Sequence, residues 1–271
     1  MPTLPGSHIT QEVAASFGAH AARYDRARPS YPQELFDRLV ASAPGPEILD
    51  VGCGTGISSR VLRTAGAHVL GLDTDERMTE VARQSGLDVE VSPFETWDAG
   101  DRRFDAVTSA QAWHWIDPAG GAAKAAEVLR PGGLAALIWN AAQMPHHIAR
   151  EFTEVYRRVV PGSPMVTQAE RVAGASMADG YRSLGRKGID AMVGTGAFGE
   201  AEQWSAEWTW VYSRDAWLDV VPTQGGHNLL PAAQLDALSA GFGEVIDAAG
   251  GEFTMDYTTI VLIARRLGGN P

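Results

Sequence analysis

The stretch Ile48-Leu49-Asp50-Val51-Gly52-Cys53-Gly54-Thr55-Gly56 constrains this chain more than any other. An apolar strand runs into three glycines at alternate positions, and a helix-forming segment follows. Glycine reaches positive φ and permits close backbone approach, while the first N–H groups of a helix lack partners within it. Strand, glycine turn and helix start, in that order, build a ligand seat at the edge of a parallel sheet. The loop differs from a dinucleotide fingerprint, which has glycine at its first, third and sixth positions; here the sixth is Ile57. An acid, Asp50, also stands inside the strand end, where it can receive a cationic amino group.

The rest of the sequence supplies the sheet. Short apolar segments read as strands at Glu47–Val51, His68–Asp73, Asp88–Ser92, Phe104–Ser109 and Leu134–Asn140. Helix-length segments near Gly56–Thr64, Asp75–Gln84 and Pro118–Leu129 separate them. Alternation of this kind predicts right-handed crossovers and a parallel sheet covered on both faces. A helix over Thr10–Arg26, a break at Pro29 and Pro32 and a helix over Gln33–Ala43 make residues 1–43 an N-terminal helical cap. From 141 to 200 the alternation stops, and Ile148, Phe152, Val155 and Val159 fall at helical spacing. This stretch reads as a helical insertion after the fifth strand, roofing the ligand site. A strand at Gln203–Tyr212, a helix at Leu235–Ala248 and a strand at Thr254–Ala264 close the chain. The expectation is an α/β fold over 1–271: one domain built on a doubly wound, mostly parallel, seven-stranded Rossmann-like sheet.

Composition narrows the partners. The chain has 271 residues, 45% of them hydrophobic, which suits one decorated globular domain. Its net charge of −11 disfavours nucleic acid, whose phosphates are held by clustered Lys and Arg. Cys53 is the only cysteine, so there is no intrachain disulfide and no four-thiolate zinc site. The N-terminus lacks a signal-peptide pattern, and the longest apolar runs are strand-sized. A cytoplasmic monomer or homodimer acting on a small molecule, without membrane or metal, is the reading that follows.

Gly71-Leu72-Asp73 ends the second strand and puts a carboxylate where ribose hydroxyls can share it. Capping of the next helix beside Thr74 is the structural alternative for Asp73. With these features in view, the chain resembles the class I S-adenosylmethionine-dependent methyltransferases from about Phe17 to Arg266. Asp50–Gly56 looks like that family's first motif, Asp73 like its ribose-binding acid, and Leu129-Arg130-Pro131-Gly132-Gly133 like the turn before its fifth strand. Tyr24–Pro32 and Trp113-His114-Trp115-Ile116 are similar to the small-molecule branch that includes trans-aconitate methyltransferase. The resemblance implies S-adenosylmethionine as cofactor and S-adenosylhomocysteine as product. It implies that Asp50 meets the methionine amino group and that Tyr24 and Arg28 face the methionine carboxylate. Gly52, Cys53, Gly54 and Gly56 would form the turn, Asp73 and Thr74 would meet the ribose, and Met78, Phe94, Glu95, Ala110 and Gln111 would surround the adenine side. Pro93 departs from the family pattern at the third strand's end, which puts the adenine amine contact in doubt. Met78 reads equally as a core methionine.

Methyl transfer from a sulfonium is an in-line displacement that demands positioning more than side-chain chemistry. The acceptor side therefore leaves a faint trace. His114 reads either as a general base, since an unperturbed histidine titrates near 6.5, or as a packing residue between two tryptophans. Trp113 and Trp115 read as acceptor-pocket walls or as core. His146 and His227 fall in segments expected to roof the pocket, and Arg150, Arg157, Arg158 and Arg182 offer cations for an acidic acceptor. A nicotinamide-dependent oxidoreductase and a noncatalytic cofactor-binding protein are the competing readings.

Overall fold

A computed structural model describes residues 16–174 and 177–268. The start of the expected first helix, residues 10–15, lies outside them. Strands β1 (Glu47–Val51), β2 (His68–Asp73), β3 (Asp88–Val91), β4 (Phe104–Ala110), β5 (Leu129–Gln143), β6 (Phe198–Ser213) and β7 (Glu252–Arg266) form a seven-stranded sheet in the order β3-β2-β1-β4-β5-β7-β6. The β1–β2, β2–β3, β1–β4 and β4–β5 pairs are parallel. Strand order reverses between β1 and β4, so the carboxyl ends of these two strands mark the switch point where ligands of such sheets bind. Helices of the described residues are α1 (Ala21–Ala27), α2 (Gln33–Ser42), α3 (Ile57–Thr64), α4 (Glu76–Gln84), α5 (Pro118–Val128), α6 (His146–Val159), α7 (Pro164–Gly174), α8 (Met177–Gly194), α9 (Arg214–Val220) and α10 (Ala232–Ala248). Three of them, α6, α7 and α8, occupy the stretch read as helical.

The chain divides into two compact units. The larger comprises Ser30–Ala141, Ala178–Ala206 and Thr258–Pro271, and contains β1 to β4 entire. Both faces of its sheet are buried, which is why β1, β4 and β5 read as continuous apolar runs. On one face Leu35, Phe36 and Leu39 of α2 pack with Ile48, Leu62, Ala106, Ala136, Ile138 and Val261. Helix starts are fixed by side chains: the Asp75 carboxylate accepts the Arg77 N–H to begin α4, and Asp117 accepts the Gly120 N–H at 2.7 Å to begin α5, with Pro118 in its first turn.

The smaller unit comprises Met1–Pro29, Ala142–Met177 and Glu207–Tyr257. Ile148, Phe152, Val155 and Tyr156 of α6 meet Trp217, Leu238, Phe242 and Phe253 in its core, with the Phe152 and Phe242 rings 4.4 Å apart. The helical spacing read from the sequence is the buried face of α6.

Two boundaries differ from expectation. Residues 130–133, read as the turn before the fifth strand, are a bulge within β5: pairing slips from Phe104↔Leu129 to Ala106↔Leu134. Gly132 has φ +80°, and a Cβ on Gly133 would sit 2.9 Å from the Arg130 carbonyl oxygen, so glycine is required at both. Helix α9 was missed. Its seven residues are too short to show periodicity, although Ser213, which accepts the Ala216 N–H, is a cap of ordinary type.

Phe36 is wholly buried and Trp210 is 47% exposed. In urea denaturation Phe36→Ala is expected to lose about 3–5 kcal/mol of stability, and Trp210→Ala about 0.5 kcal/mol or less.

Candidate functional site

The glycine loop closes on itself. Gly52, Gly54 and Gly56 have φ of +69°, +54° and +85°, and Gly56 caps α3 in the left-handed conformation. A Cβ on Gly52 would lie 2.3 Å from that of Ala112, and one on Gly56 2.2 Å from Leu87 Cδ1. Four loop N–H groups are already used. Gly52 and Cys53 donate to the Leu72 carbonyl at 2.7 and 3.1 Å, Gly56 donates to Cys53 O at 2.8 Å, and Gly54 donates to Asp73 Oδ2 at 2.8 Å. A pyrophosphate cradle needs such groups free.

Asp50 is fully buried, and hydroxyls take both its oxygens. Ser58 and Ser59 Oγ donate to Oδ2 at 2.8 and 2.6 Å, and Thr108 Oγ1 donates to Oδ1 at 2.9 Å. Burial pushes the carboxyl up while the three hydroxyl bonds pull it down. The carboxylate ties β1 to the start of α3 and to β4, and these three bonds leave one acceptor position for the amino-group contact expected of it. Cys53 is likewise buried, its Sγ against Gly71, and burial pushes its thiol well up, so it packs and does not react.

Asp73 stands at the end of β2, half-buried. Its Oδ2 accepts from Gly54 and its Oδ1 from the Asp75 N–H at 2.9 Å. The Thr74 N–H donates to this carboxylate as well. A carboxylate has about four acceptor positions, so one remains for a ligand hydroxyl. Helix capping, the alternative for Asp73, belongs to Asp75. Thr74 lies between them. Met78 is buried with its Cε 3.3 Å from where a Gly54 Cβ would stand, beneath the loop. Phe94 is buried beside Trp113, ring centroids 6.0 Å apart, and Glu95 Oε1 accepts the Asp117 N–H at 2.9 Å.

After β4 the chain turns sharply. Ala110 is buried, and Gln111 has φ +58°, a left-handed conformation uncommon outside glycine. The Gln111 N–H donates to Ile138 O and its Nε2 to Asn140 O, which hold that conformation. Beyond it, Trp113–Trp115 forms a single 3₁₀ turn. Trp113 is 3% exposed and packs as core, the second of its two readings. Trp115 is half-buried, and the His114 ring packs on it at 4.6 Å. His114 Nδ1 is buried without a hydrogen-bond partner among the described residues, and burial holds its pKa down to about 4.

Apart from Arg182, the other expected residues lie in the smaller unit. The Arg28 guanidinium sits 4.8 Å from the Tyr24 ring centroid, and its Nε donates to Thr223 Oγ1 at 3.1 Å. His146 opens α6, exposed. His227 is buried with both nitrogens engaged, Nδ1 against the Val221 carbonyl at 2.6 Å and Nε2 against the Tyr156 hydroxyl at 2.9 Å. It therefore donates from Nδ1, accepts at Nε2 and has no position left for a substrate, which corrects its expected role. Three of the four arginines offered for an acidic acceptor are paired: Arg150 with Glu151, Arg157 with Glu154 and Glu170, and Arg182 with Asp179. Among the described residues no cluster of three or more His, Cys, Asp or Glu side chains is placed to hold a metal. No helix among them is long and apolar enough to cross a membrane.

Residues 49–137, the segment carrying this loop, Asp73 and the 3₁₀ turn, match a family profile described as a methyltransferase domain. Over this segment the chain is similar to methyltransferase domains. An uncharacterized methyltransferase of Mycobacterium tuberculosis is 38% identical over 151 residues, covering 55% of this chain and 61% of the relative. The chain thus spans about three fifths of the length of the curated relatives it matches first. Two solved structures share the fold. One, a type II methyltransferase by provisional assignment from Anaeromyxobacter dehalogenans, has a TM-score of 0.62 and 22% identity over 89% of this chain and 98% of its own. The other, phosphoethanolamine N-methyltransferase 2 of Haemonchus contortus in complex with S-adenosyl-L-methionine, has a TM-score of 0.51 and 13% identity over 93% of this chain and 57% of its own.

The sequence reading missed Ser58, Ser59, Thr108 and Asn140. Ser58 and Ser59 follow the last loop glycine within one helical turn, and that spacing was the available signal. Thr108 and Asn140 sit on other strands and become neighbours only through register.

Burial lowers the His227 pKa from 6.5 to about 4. The folded chain then holds this ring neutral where the unfolded chain protonates it, so the stability it contributes is present above pH 6.5 and is lost as pH falls toward 4. One proton changes stability by about 1.4 kcal/mol per pH unit. His227→Gln is expected to flatten the decline between pH 6 and 4 by about 1 kcal/mol per unit, measured by denaturant unfolding across that range.

Proposed function

We propose that this chain transfers the methyl group of S-adenosylmethionine to an O, N or C atom of a small organic acceptor. One observation carries the reading: a glycine loop with four of its N–H groups spent internally, beside an Asp73 carboxylate with an acceptor position to spare. A dinucleotide needs the opposite at this turn, free N–H groups for its phosphates. An adenosyl sulfonium needs close backbone approach and a hydroxyl acceptor, and the loop and Asp73 offer both. The family match and the fold shared with a structure containing S-adenosyl-L-methionine support the same cofactor.

In this reading Asp73 accepts a ribose hydroxyl, Gly52 and Gly54 let the ligand approach the backbone, and Phe94 and Met78 border the adenine side. The bound cofactor supplies an electrophilic methyl on a sulfonium. The C–S bond breaks as the bond from methyl to acceptor forms, and the acceptor's proton, where it has one, leaves to solvent or to a basic side chain. His114 is the side chain assigned to that proton. With a pKa of about 4 it is neutral at pH 7, able to accept but weakly basic, so positioning is left as the main source of rate. A net charge of −11 supports a small-molecule acceptor over nucleic acid, and a cytoplasmic monomer or homodimer is part of the proposal.

S-adenosylhomocysteine is expected to raise the melting temperature of the full chain and NAD to leave it unchanged; no shift with any adenosyl compound overturns the assignment. Asp73→Ala is expected to weaken S-adenosylhomocysteine binding at least about tenfold in calorimetry, as loss of a charged hydrogen-bond acceptor does. In a pH–rate profile, His114 acting as base predicts no limb near 6.5 and a plateau held down to about pH 5. A limb between 6 and 7 removes His114 from the step.

A further inference from the structure

Within the larger unit, α8 carries Gly180, Gly185, Gly188 and Gly194. Glycine inside a helix is unfavourable relative to alanine, so each position invites a reason. Around Gly180 and Gly194 a Cβ would meet nothing within 4 Å. Gly185 and Gly188 differ. A Cβ on Gly188 would lie 2.5 Å from Trp113 Nε1 and 2.9 Å from Leu137 Cδ1, and one on Gly185 would lie 2.6 Å from Trp139 Cζ3 and 2.5 Å from Leu262 Cδ1.

Both indoles are buried, at 3% and 0% exposure, and the Nε1 of each has no hydrogen-bond partner among the described residues. Buried polar groups are ordinarily paired, and packing alone is served as well by a phenylalanine. Trp113 is enclosed on other sides too. Gly121 of α5 would bring a Cβ to 3.1 Å from Trp113 Cζ2, and Phe94 lies against the indole. This residue begins the 3₁₀ turn whose next two members are His114 and Trp115.

We propose that Gly188, with Gly185 beside it, is a positioning residue: it lets α8 seat on the Trp113 indole and thereby fixes where the His114–Trp115 turn stands. The inference rests on the methyl-transfer reading for its consequence, since that turn carries the groups assigned to the acceptor. Helix α8 then acts on the reaction without touching a ligand. A methyl group at position 188 meets the indole at two atoms, Nε1 at 2.5 Å and Cδ1 at 2.7 Å, and displaces it, so that the turn moves with it.

The test compares the full-length wild-type chain with Gly188→Ala and, as control on the same helix, Gly194→Ala. The His114 ring is followed by NMR titration, S-adenosylhomocysteine affinity by calorimetry, and methyl transfer from tritiated S-adenosylmethionine to catechol, benzoate and aniline. The wild type and Gly194→Ala are expected to titrate alike, near 4. In Gly188→Ala the ring is expected to move at least one unit toward 6.5 as the turn opens to water, with cofactor affinity within twofold. Any of the three acceptors that the wild type methylates should show kcat lowered about tenfold at unchanged KM for the cofactor. Should Gly188→Ala fail to fold, the double variant Trp113→Phe with Gly188→Ala removes the atom that the new methyl strikes and is expected to restore folding and the His114 titration. A Gly188→Ala chain that titrates like wild type overturns the proposal, as does a double variant that restores neither. Loss of the methyl-transfer reading is seen separately, as no S-adenosylhomocysteine binding by the wild type, and the His114 titration then still decides whether Gly188 seats the turn.

Discussion

Everything at the sheet's switch point depends on one buried carboxylate. Asp50 ends β1 with no exposure to solvent, and Ser58, Ser59 and Thr108 surround it with hydroxyl donors. Burying a charge is unfavourable unless its lone pairs are filled, so the three hydroxyls are the condition for the acid being there at all. Having met that condition, the carboxylate joins strand, helix start and neighbouring strand. The glycine loop spans the gap between two of these tethered pieces, and its positive φ values are held because both ends are fixed.

Much of this was legible in the sequence, and the reasons are local. Residues 48–56 encode their own conformation through glycine spacing, and Asp73 follows from the length of one strand-helix-strand unit. The helical face Ile148–Phe152–Val155 needed only periodicity. His227 and the partners of Asp50 were misread or missed, and the two readings of Trp113 stayed open, for the opposite reason. A tryptophan after a strand reads alike whether it lines a pocket or lies under a helix sixty or more residues away in sequence, and here Gly188 decides. The two nitrogens of His227 are taken by Tyr156 and Val221, one of them on a separate helix. Composition carries no trace of such pairings. The arginines of the insertion read either as a solvated helix face or as cations for an acidic acceptor, and the acids that pair Arg157 and Arg182 sit at one-turn and longer spacings on the same helices or the next.

Two desolvated histidines show how one physical effect takes two uses. Burial lowers both to about 4. In His227 the neutral ring is completed by a donor and an acceptor, so it serves as a rigid polar link inside the smaller unit. His114, itself half-buried, keeps Nδ1 without a partner among the described residues, beside the half-buried Trp115. Only the second retains capacity for chemistry.

The closed hydrogen bonding of the glycine loop bears on the company this protein keeps. Nucleotides bearing phosphates are the most abundant adenosine compounds in a cell, and any of them reaching this turn has to break backbone bonds before it can make its own. On the proposed reading the loop is a filter as well as a seat: with four of its N–H groups already paired, it favours adenosine joined to an uncharged or cationic linkage over adenosine joined to phosphate.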